Sequence, residues 1–479
     1  MTTNFPSSFT RPWKQLIFSR EDDASSEFPG YTADTADSLI TTSIPTSLYF
    51  GTGHTIYERA LVPAIRSATS SIHLVTCFWA DSTSSALIYD ALLMLAISRA
   101  DAEPAPSHPL HVTIGLSSQG ILQKLLHTSS TTGYVYPPTE WKSLGLPDES
   151  TLRRGSIHLT VKSLFFTPFS VMHPKYLIVD NTAAWMPSCN VSWERWFEGC
   201  IELQGEVVAT LLAFHESVWG LGTASGAQMI SDHPSDTVPV RQLSMSSQSD
   251  DHASLLQSGG TEGPTRYLRL TRNTPTPTIL LPSSHHRNPR FSWLSFFMNC
   301  DPPMTPLNAA LVTLFTNAKK RISIVTPNVT SQPVINGVLQ ALARGVDVQI
   351  RTSKNMMLLE QLVTAGTTTS WCLRKLVREY NNLVKSRKHQ DVEQQLKLGR
   401  LNIYYYKPMA GRVEKDEPVL SHFKMTLVDD EYLLLGSGNM DRASWWTSQE
   451  LGILLYMPGF EDSTWEQILS ERAESVFIS

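Results

Sequence analysis

One short motif occurs twice in this chain, and the repetition limits what the chain can fold into. His173-Pro174-Lys175 is followed by Asp180, and His422-Phe423-Lys424 by Asp429, each acid lying five residues beyond its lysine. After six intervening residues each acid is followed by a four-residue turn ending in asparagine, Pro187-Ser188-Cys189-Asn190 in one copy and Gly436-Ser437-Gly438-Asn439 in the other. The copies are 249 residues apart, from 173 to 422 and again from 190 to 439. A chain with two copies at one internal spacing is built from two halves of the same plan. Those halves ask for one site made from both.

The repeat reaches beyond the motifs. Ala64 to Thr76 reads as a helix end running into the buried strand Ile72-His73-Leu74-Val75-Thr76, and Leu314 to Thr326 matches it through Ile322-Ser323-Ile324-Val325-Thr326. Thr76 lies 97 residues before His173, and Thr326 lies 96 before His422. Downstream of the second strand, Pro333 opens a helix through Ala343, Gly345 ends it, and Val346 to Ile350 forms the next strand. The first half answers with a helix over Ser85 to Ala100 and a strand over His111 to Ile114. Such alternation predicts an α/β fold with parallel sheets covered by helices. The expected organisation is an N-terminal extension (1–45), a first α/β domain (46–222), a flexible linker (223–290) and a second α/β domain (291–479). The linker is rich in Ser, Thr, Pro, Asp and Gly, and its end carries His285, His286 and Arg287. A helical insertion over 358–400 carries the basic residues Arg374, Lys375, Arg378, Lys385, Arg387 and Lys388, which reads first as a solvated helix face.

Composition narrows the function classes. With 479 residues and 41% hydrophobic content, the chain has ample material for two or three domains. A formal charge of -5 argues against a broad basic surface for nucleic acid, while leaving room for a local groove. Cys77, Cys189, Cys200, Cys300 and Cys372 are odd in number and form no Cys-x-x-Cys pair, which argues against a disulfide framework or a zinc site and for a reducing compartment. The absence of a run of about 18 apolar residues argues against a membrane span. The expected location is cytoplasmic, with peripheral attachment to a membrane. The alternative is mitochondrial, since Arg11, Lys14 and Arg20 precede the first acid, Glu21, in a Ser- and Thr-rich start; Pro6 and Pro12 interrupt the amphipathic helix such a signal needs.

The motif residues suit chemistry at phosphorus. Each motif is followed by a β-type run, so His422 and Lys424 share a face, as do Ser188 with Asn190 and Ser437 with Asn439. Asp180 and Asp429 fall at strand ends aimed away from that face, and read as structural ion-pair partners. Two halves facing each other surround a phosphoryl group with Lys175 and Lys424 as point charges and Asn190, Asn439, Ser188 and Ser437 as phosphate-binding groups. One histidine attacks phosphorus to give a phosphohistidine; the other protonates the leaving oxygen and then deprotonates the incoming water or alcohol. No metal or other cofactor is called for. Each histidine needs an acid on its second nitrogen. Glu450 lies eleven residues after Asn439 and Glu202 twelve after Asn190, in the similar contexts Gln449-Glu450-Leu451 and Ile201-Glu202-Leu203, so these are the candidates; Glu194 and Glu198 compete in the first half.

His-x-Lys-x4-Asp-x6-Gly-Ser-x-Asn resembles the signature of the phospholipase D superfamily, with the likeness covering roughly residues 50 to 220 and 295 to 460. It implies two pseudo-twofold-related α/β domains with the active site at their interface, a monomer acting as its own pseudo-dimer, and His173 as nucleophile with His422 as general acid and base. The wording from His422 through Asp441, Arg442 and Ser444 is similar to cardiolipin synthase-type members, except that Ala443 stands where an arginine usually precedes the final serine; Pro187 replaces glycine in the first copy. The implied substrate is a phospholipid at a membrane surface, hydrolysed or transferred. Nucleic acid is the alternative substrate of the same superfamily, and a non-catalytic lipid- or partner-binding protein is the third reading. Trp185, Trp193, Trp196 and Phe197, with Tyr404, Tyr405, Tyr406, Trp445 and Trp446, fit a lipid-facing rim, base stacking or core packing.

Overall fold

The computed structural model describes the chain apart from residues 1–3, 19–29, 33, 121–122, 124–131, 167–169, 221–255, 263–264, 271–273, 284–300, 389–396, 410–416 and 461–462. Helix α1 (Ser7–Phe18) comes first, and strand β1 (Ile40–Thr52) enters the sheet. The first half continues with β2 (Ser71–Phe78), α2 (Thr83–Ala100), β3 (Leu110–Ser118) and β4 (Ile157–Ser163). It closes with β5 (Tyr176–Val179), β6 (Ala183–Pro187), β7 (Trp196–Gln204) and α3 (Glu206–Trp219). The second half runs β8 (Thr276–Ser283), α4 (Pro306–Asn317), β9 (Arg321–Thr326), α5 (Gln332–Ala343) and β10 (Asp347–Thr352). After α6 (Leu358–Ala365) and α7 (Thr369–Lys388) come β11 (Leu401–Tyr406), β12 (Met425–Val428), β13 (Tyr432–Gly436) and β14 (Glu450–Tyr456).

Both halves have the same strand order. In the first, β4, β3 and β2 run parallel, and β5, β6, β7 and β1 follow in antiparallel succession. In the second, β11, β10 and β9 run parallel and β12, β13, β14 and β8 follow in the same way. The register repeats as well: Ile72 faces Val112 and Val179, while Ile322 faces Val348 and Val428. The expected α/β class holds, but each sheet is mixed. Each motif strand returns through a three-residue turn whose first two residues both have positive φ, Asp180-Asn181 (51° and 54°) and Asp429-Asp430 (55° and 59°), the geometry of a tight hairpin. Hairpins force antiparallel pairing where crossover helices would have given parallel strands.

Local sequence explains the element ends. Ser82 caps α2 reciprocally with Ser85, and Thr305 caps α4 with Pro306 in its first turn. Gly345, at φ 94°, supplies the left-handed residue that stops α5. Strands β2 and β9 are buried on both faces along nearly their whole length.

The expected linker and N-terminal extension need correction. Of the segment 223–290, residues 223–255, 263–264, 271–273 and 284–290, with His285, His286 and Arg287, lie outside the described residues. The rest is not a flexible loop: β8 is buried along its whole length and pairs with both β14 and the Ile40–Ser43 end of β1, so it joins the two sheets. Its apolar run Ile279-Leu280-Leu281, fully buried, overrides the polar composition around it. The N-terminal segment is equally integrated. Helix α1 forms despite Pro12 and buries Phe9, Trp13 and Ile17, with the Trp13 indole donating to the Pro306 carbonyl at the start of α4. No helix among the described residues is long and apolar enough to cross a membrane. The described cysteines, Cys77, Cys189, Cys200 and Cys372, are free thiols.

Candidate active site

The two motifs meet by exchange. The ring of His173 is hydrogen-bonded through Nδ1 to Glu450 Oε2 at 2.7 Å, and its backbone N–H donates to the Gln449 carbonyl at 2.9 Å. The ring of His422 is bonded through Nδ1 to Glu198 Oε1 at 2.8 Å, and its N–H donates to the Phe197 carbonyl at 2.9 Å. Each histidine is therefore fixed, main chain and ring, by two consecutive residues of the opposite half. The ring centroids are 6.5 Å apart and nearly perpendicular. Because a carboxylate only accepts, Nδ1 carries the proton in both rings and Nε2 keeps its lone pair.

Both glutamates are fastened in turn. Ser188 donates to Glu198 and accepts the Gly199 N–H, and Ser437 donates to Glu450 and accepts the Leu451 N–H. Glu450 receives a further hydrogen bond from Ser444 at 2.7 Å. The two serines expected on phosphate thus hold the acids that hold the histidines. Glu202, expected to orient a histidine, accepts instead from the Tyr49 hydroxyl at 3.3 Å, and Glu198 has the orienting position. The two lie on the same face of β7, four residues and roughly 13 Å apart along the strand. The sequence spacing misleads because the second half inserts a one-turn helix, Arg442–Trp446, between its asparagine and its glutamate. The matching signal is the serine, which pairs with the glutamate on the returning strand in both halves. Glu194, the other competitor, lines the cleft below.

Asp180 and Asp429 make backbone caps rather than ion pairs. Asp180 accepts the N–H groups of Thr69, Ser70 and Ser71, and Asp429 those of Lys319, Lys320 and Arg321. Each pins the start of the central strand to the hairpin of its own motif. Asn190 and Asn439 are positioned through the next residue: Thr76 accepts the Val191 N–H, and Thr326 that of Met440. The amide of Asn439 donates to Asp441 at 3.0 Å, and Asn190 Oδ1 accepts from the Phe78 N–H at 3.3 Å.

The lysines differ between halves. Lys175 Nζ donates to the His173 carbonyl at 2.8 Å, whereas Lys424 Nζ lies 2.8 Å from Nε2 of His422. Burial lowers the proton affinity of Lys424 to a pKa of about 7, against the opposing charge of Glu198. Burial likewise lowers His422 to about 4 and lowers His173, in each case opposed by the partner glutamate and reinforced by the lysines. Burial alone would raise Glu198 and Glu450, but the histidine and serine partners of each, with Lys424 beside Glu198, outweigh it and hold both carboxyls below the ordinary range. The resting site therefore holds neutral imidazoles on anionic glutamates.

His173, His422 and Asn190 open into a cleft of about 470 Å³ between the halves. Its walls include Phe78, Phe165 and Trp196 from the first half and Met357, Val363 and Ala443 from the second. The side chain of His173 is 14% exposed and that of His422 is 3% exposed. Trp196 packs on the His422 ring at 4.8 Å. Of the other aromatics near the motifs, Trp185, Phe197, Trp445 and Trp446 are core residues, and Trp193 is exposed.

Residues 311–471 match a family model described as the phospholipase D-like domain of cardiolipin synthase. No curated protein matches the sequence. Among solved structures, the chain is similar to phosphatidylserine synthase of Haemophilus influenzae Rd KW20, with 12% identity, 91% of this chain and 89% of that one covered, and a TM-score of 0.55. It also matches Nuc, a phospholipase D family member from Salmonella typhimurium (14% identity, 42% and 97% covered, TM-score 0.26). A third match is polyphosphate kinase from Porphyromonas gingivalis (10% identity, 89% and 48% covered, TM-score 0.38). The last two scores are too low to bear on the fold. The resemblance read from the motifs is borne out by the family match of the second half and by the fold shared along nearly the whole chain.

Proposed function

We propose that this chain, a member of the phospholipase D superfamily, cleaves a phospholipid at its phosphodiester and passes the phosphatidyl group to water or to an alcohol. The observation that carries the reading is the exchanged pair of histidines, each held by a glutamate of the opposite half over one cleft. His173 is the nucleophile. Its Nε2 lone pair forms a bond to phosphorus as the bond to the leaving alkoxide breaks, and His422 gives its Nε2 proton to that oxygen. Water or an alcohol then loses a proton to His422 and attacks phosphorus, breaking the P–N bond. His422 is neutral in the empty site; the negative charge of a bound phosphodiester raises its proton affinity, so substrate binding loads the acid. Lys175 and Lys424, with Asn190 and Asn439, stabilise the charge on the transferring group. The cardiolipin synthase description of the family match favours lipid over nucleic acid, as do the apolar walls of the cleft.

Purified full-length chain incubated in EDTA with phosphatidylcholine, phosphatidylglycerol, cardiolipin or single-stranded DNA tests the reading. A phosphatidyl product is expected from at least one lipid, with phosphatidylethanol appearing when ethanol is added. Cleavage of DNA with every lipid untouched would make the protein a nuclease. Activity lost in EDTA and restored by a divalent ion would overturn the proposed chemistry.

A further inference from the structure

Helix α6 is inside out. Its one buried residue is Gln361, 3% exposed, while Leu358, Leu359, Leu362 and Val363 are exposed, Leu359 to 77%. Gln361 is fully used: its Nε2 donates to Asn328 Oδ1 at 2.8 Å and to the Met356 carbonyl, and its Oε1 accepts from Thr369 N at 2.6 Å. The helix is thus anchored through a polar residue and turns its leucines to solvent, the reverse of an ordinary surface helix. Trp371, in the first turn of α7, is 71% exposed. Five of the fourteen exposed large apolar side chains among the described residues fall within Leu358–Trp371, which makes a patch rather than scatter.

We infer that α6 and the first turns of α7 form a docking face for an anionic phospholipid surface, which feeds lipid to the cleft. The inference rests on the phospholipid reading above. Met357, Glu360, Val363 and Thr364 line the cleft beside His173 and His422, so α6 is both cleft wall and exposed apolar surface. Acyl chains of a lipid whose phosphate sits at the histidines leave past this wall. Charge fits the same occupant. Trp371, Arg374, Arg378 and Lys385 recur at helical spacing along one stripe of α7, and exposed Lys354 precedes α6, on a chain whose net charge is -5. A second copy is a poorer occupant, because a twofold contact here would set the basic stripe against itself and close the cleft.

The test is cosedimentation of the full chain with vesicles of phosphatidylcholine alone or mixed with phosphatidylglycerol. Wild type is expected to bind the mixed vesicles, and to bind less as sodium chloride rises from roughly 0.1 to roughly 0.5 M. Leu359→Asp/Leu362→Asp and Arg374→Glu/Arg378→Glu should each lower binding at least about tenfold. The leucine variant should still turn over a monomeric short-chain phospholipid within about twofold of wild type, since neither leucine lines the cleft. Wild type that ignores the vesicles, or variants that bind as well as wild type, would overturn the inference. So would light scattering that shows a wild-type dimer and a monomeric leucine variant, because the face would then be a self-association surface. Binding lost in the variants while no phospholipid is turned over by wild type would sustain the docking face and sink the phospholipid reading.

Discussion

The two halves carry the same motif groups, but with unequal support. Glu450, which holds His173, is fixed by Ser437 and Ser444, whereas Glu198, which holds His422, has Ser188. Lys424 stands at the His422 ring, while Lys175 is turned to a main-chain carbonyl and leaves Nε2 of His173 without a partner among the described residues. The more open and more firmly held ring suits the nucleophile; the enclosed ring beside a lysine of lowered proton affinity suits the acid and base. Exchange of glutamates means that each histidine has its carboxylate only when both halves are present. The family match covers the second half only, yet strand order, register and caps are common to both.

The largest effect expected is from the histidines. His173→Ala and His422→Ala should each lower turnover of an ordinary phospholipid by at least about ten-thousandfold. A substrate with a nitrophenol leaving group separates the roles. Such a leaving group needs no proton, so His422→Ala should recover at least about a hundredfold of the first, burst step, and His173→Ala none. Equal recovery in both variants would erase the difference between the halves.

Next come the acids and the lysines. Glu450→Gln and Glu198→Gln are expected to reduce kcat by roughly a hundred- to ten-thousandfold, as when an imidazole loses its orienting carboxylate. Glu202→Gln, four residues along the same strand, should stay within about twofold. A reversal between Glu198 and Glu202 in steady-state assays would break the site geometry. Lys424→Ala and Lys175→Ala should each lower kcat at least about a hundredfold, the effect of losing about 2.7 to 4 kcal/mol of charge stabilisation.

The pH profile follows from the same asymmetry. His173 works neutral, and its lowered pKa keeps it so below the ordinary histidine value, so the acid limb of kcat/KM falls below 6.5. His422, at about 4 without substrate, takes its proton as the phosphodiester binds, so kcat/KM should already decline above about 4, and loss of the Lys424 proton as pH rises through about 7 should add a second alkaline limb. Bound phosphodiester raises that lysine's proton affinity, so this second limb of kcat should move upward relative to that of kcat/KM. A second limb unchanged in Lys424→Arg would assign it to another group.

The smallest effects concern the supports. Ser444→Ala should lower kcat by about tenfold or less, because Ser437 still holds Glu450, and destabilise the fold by roughly 1 to 3 kcal/mol in a denaturant titration. Asp180→Asn should act on the melt with little change in kcat, since Asp180 caps backbone amides at the opposite end of β5 from His173.

Much of this was legible because duplication tests itself. Matching Ile72 with Ile322 and Thr76 with Thr326 gives the central strands, and the His, Lys, Asn and Ser spacing gives the hairpins that carry the site. Glu450 could be found the same way. Glu198 could not, because an inserted turn in the second half changes the spacing that the comparison relies on. The role of the serines is hidden for a related reason: alternation says which face a side chain takes, but not whether phosphate or a neighbouring carboxylate occupies that face. Polar flanks hide the burial of β8, and the helix expected within 358–400 gives no sign that the leucines of α6 face outward.

Trapping the covalent intermediate tests the single shared site most directly. Wild-type chain would be mixed with phospholipid labelled in the phosphate, quenched by denaturant at alkaline pH, and digested to locate the label. The expected result is at most one label per chain, on His173, lost in His173→Ala and strongly reduced in Glu450→Gln. Two labels per chain, one on each motif histidine and each surviving loss of the other, would contradict it, as would a label on His422 alone.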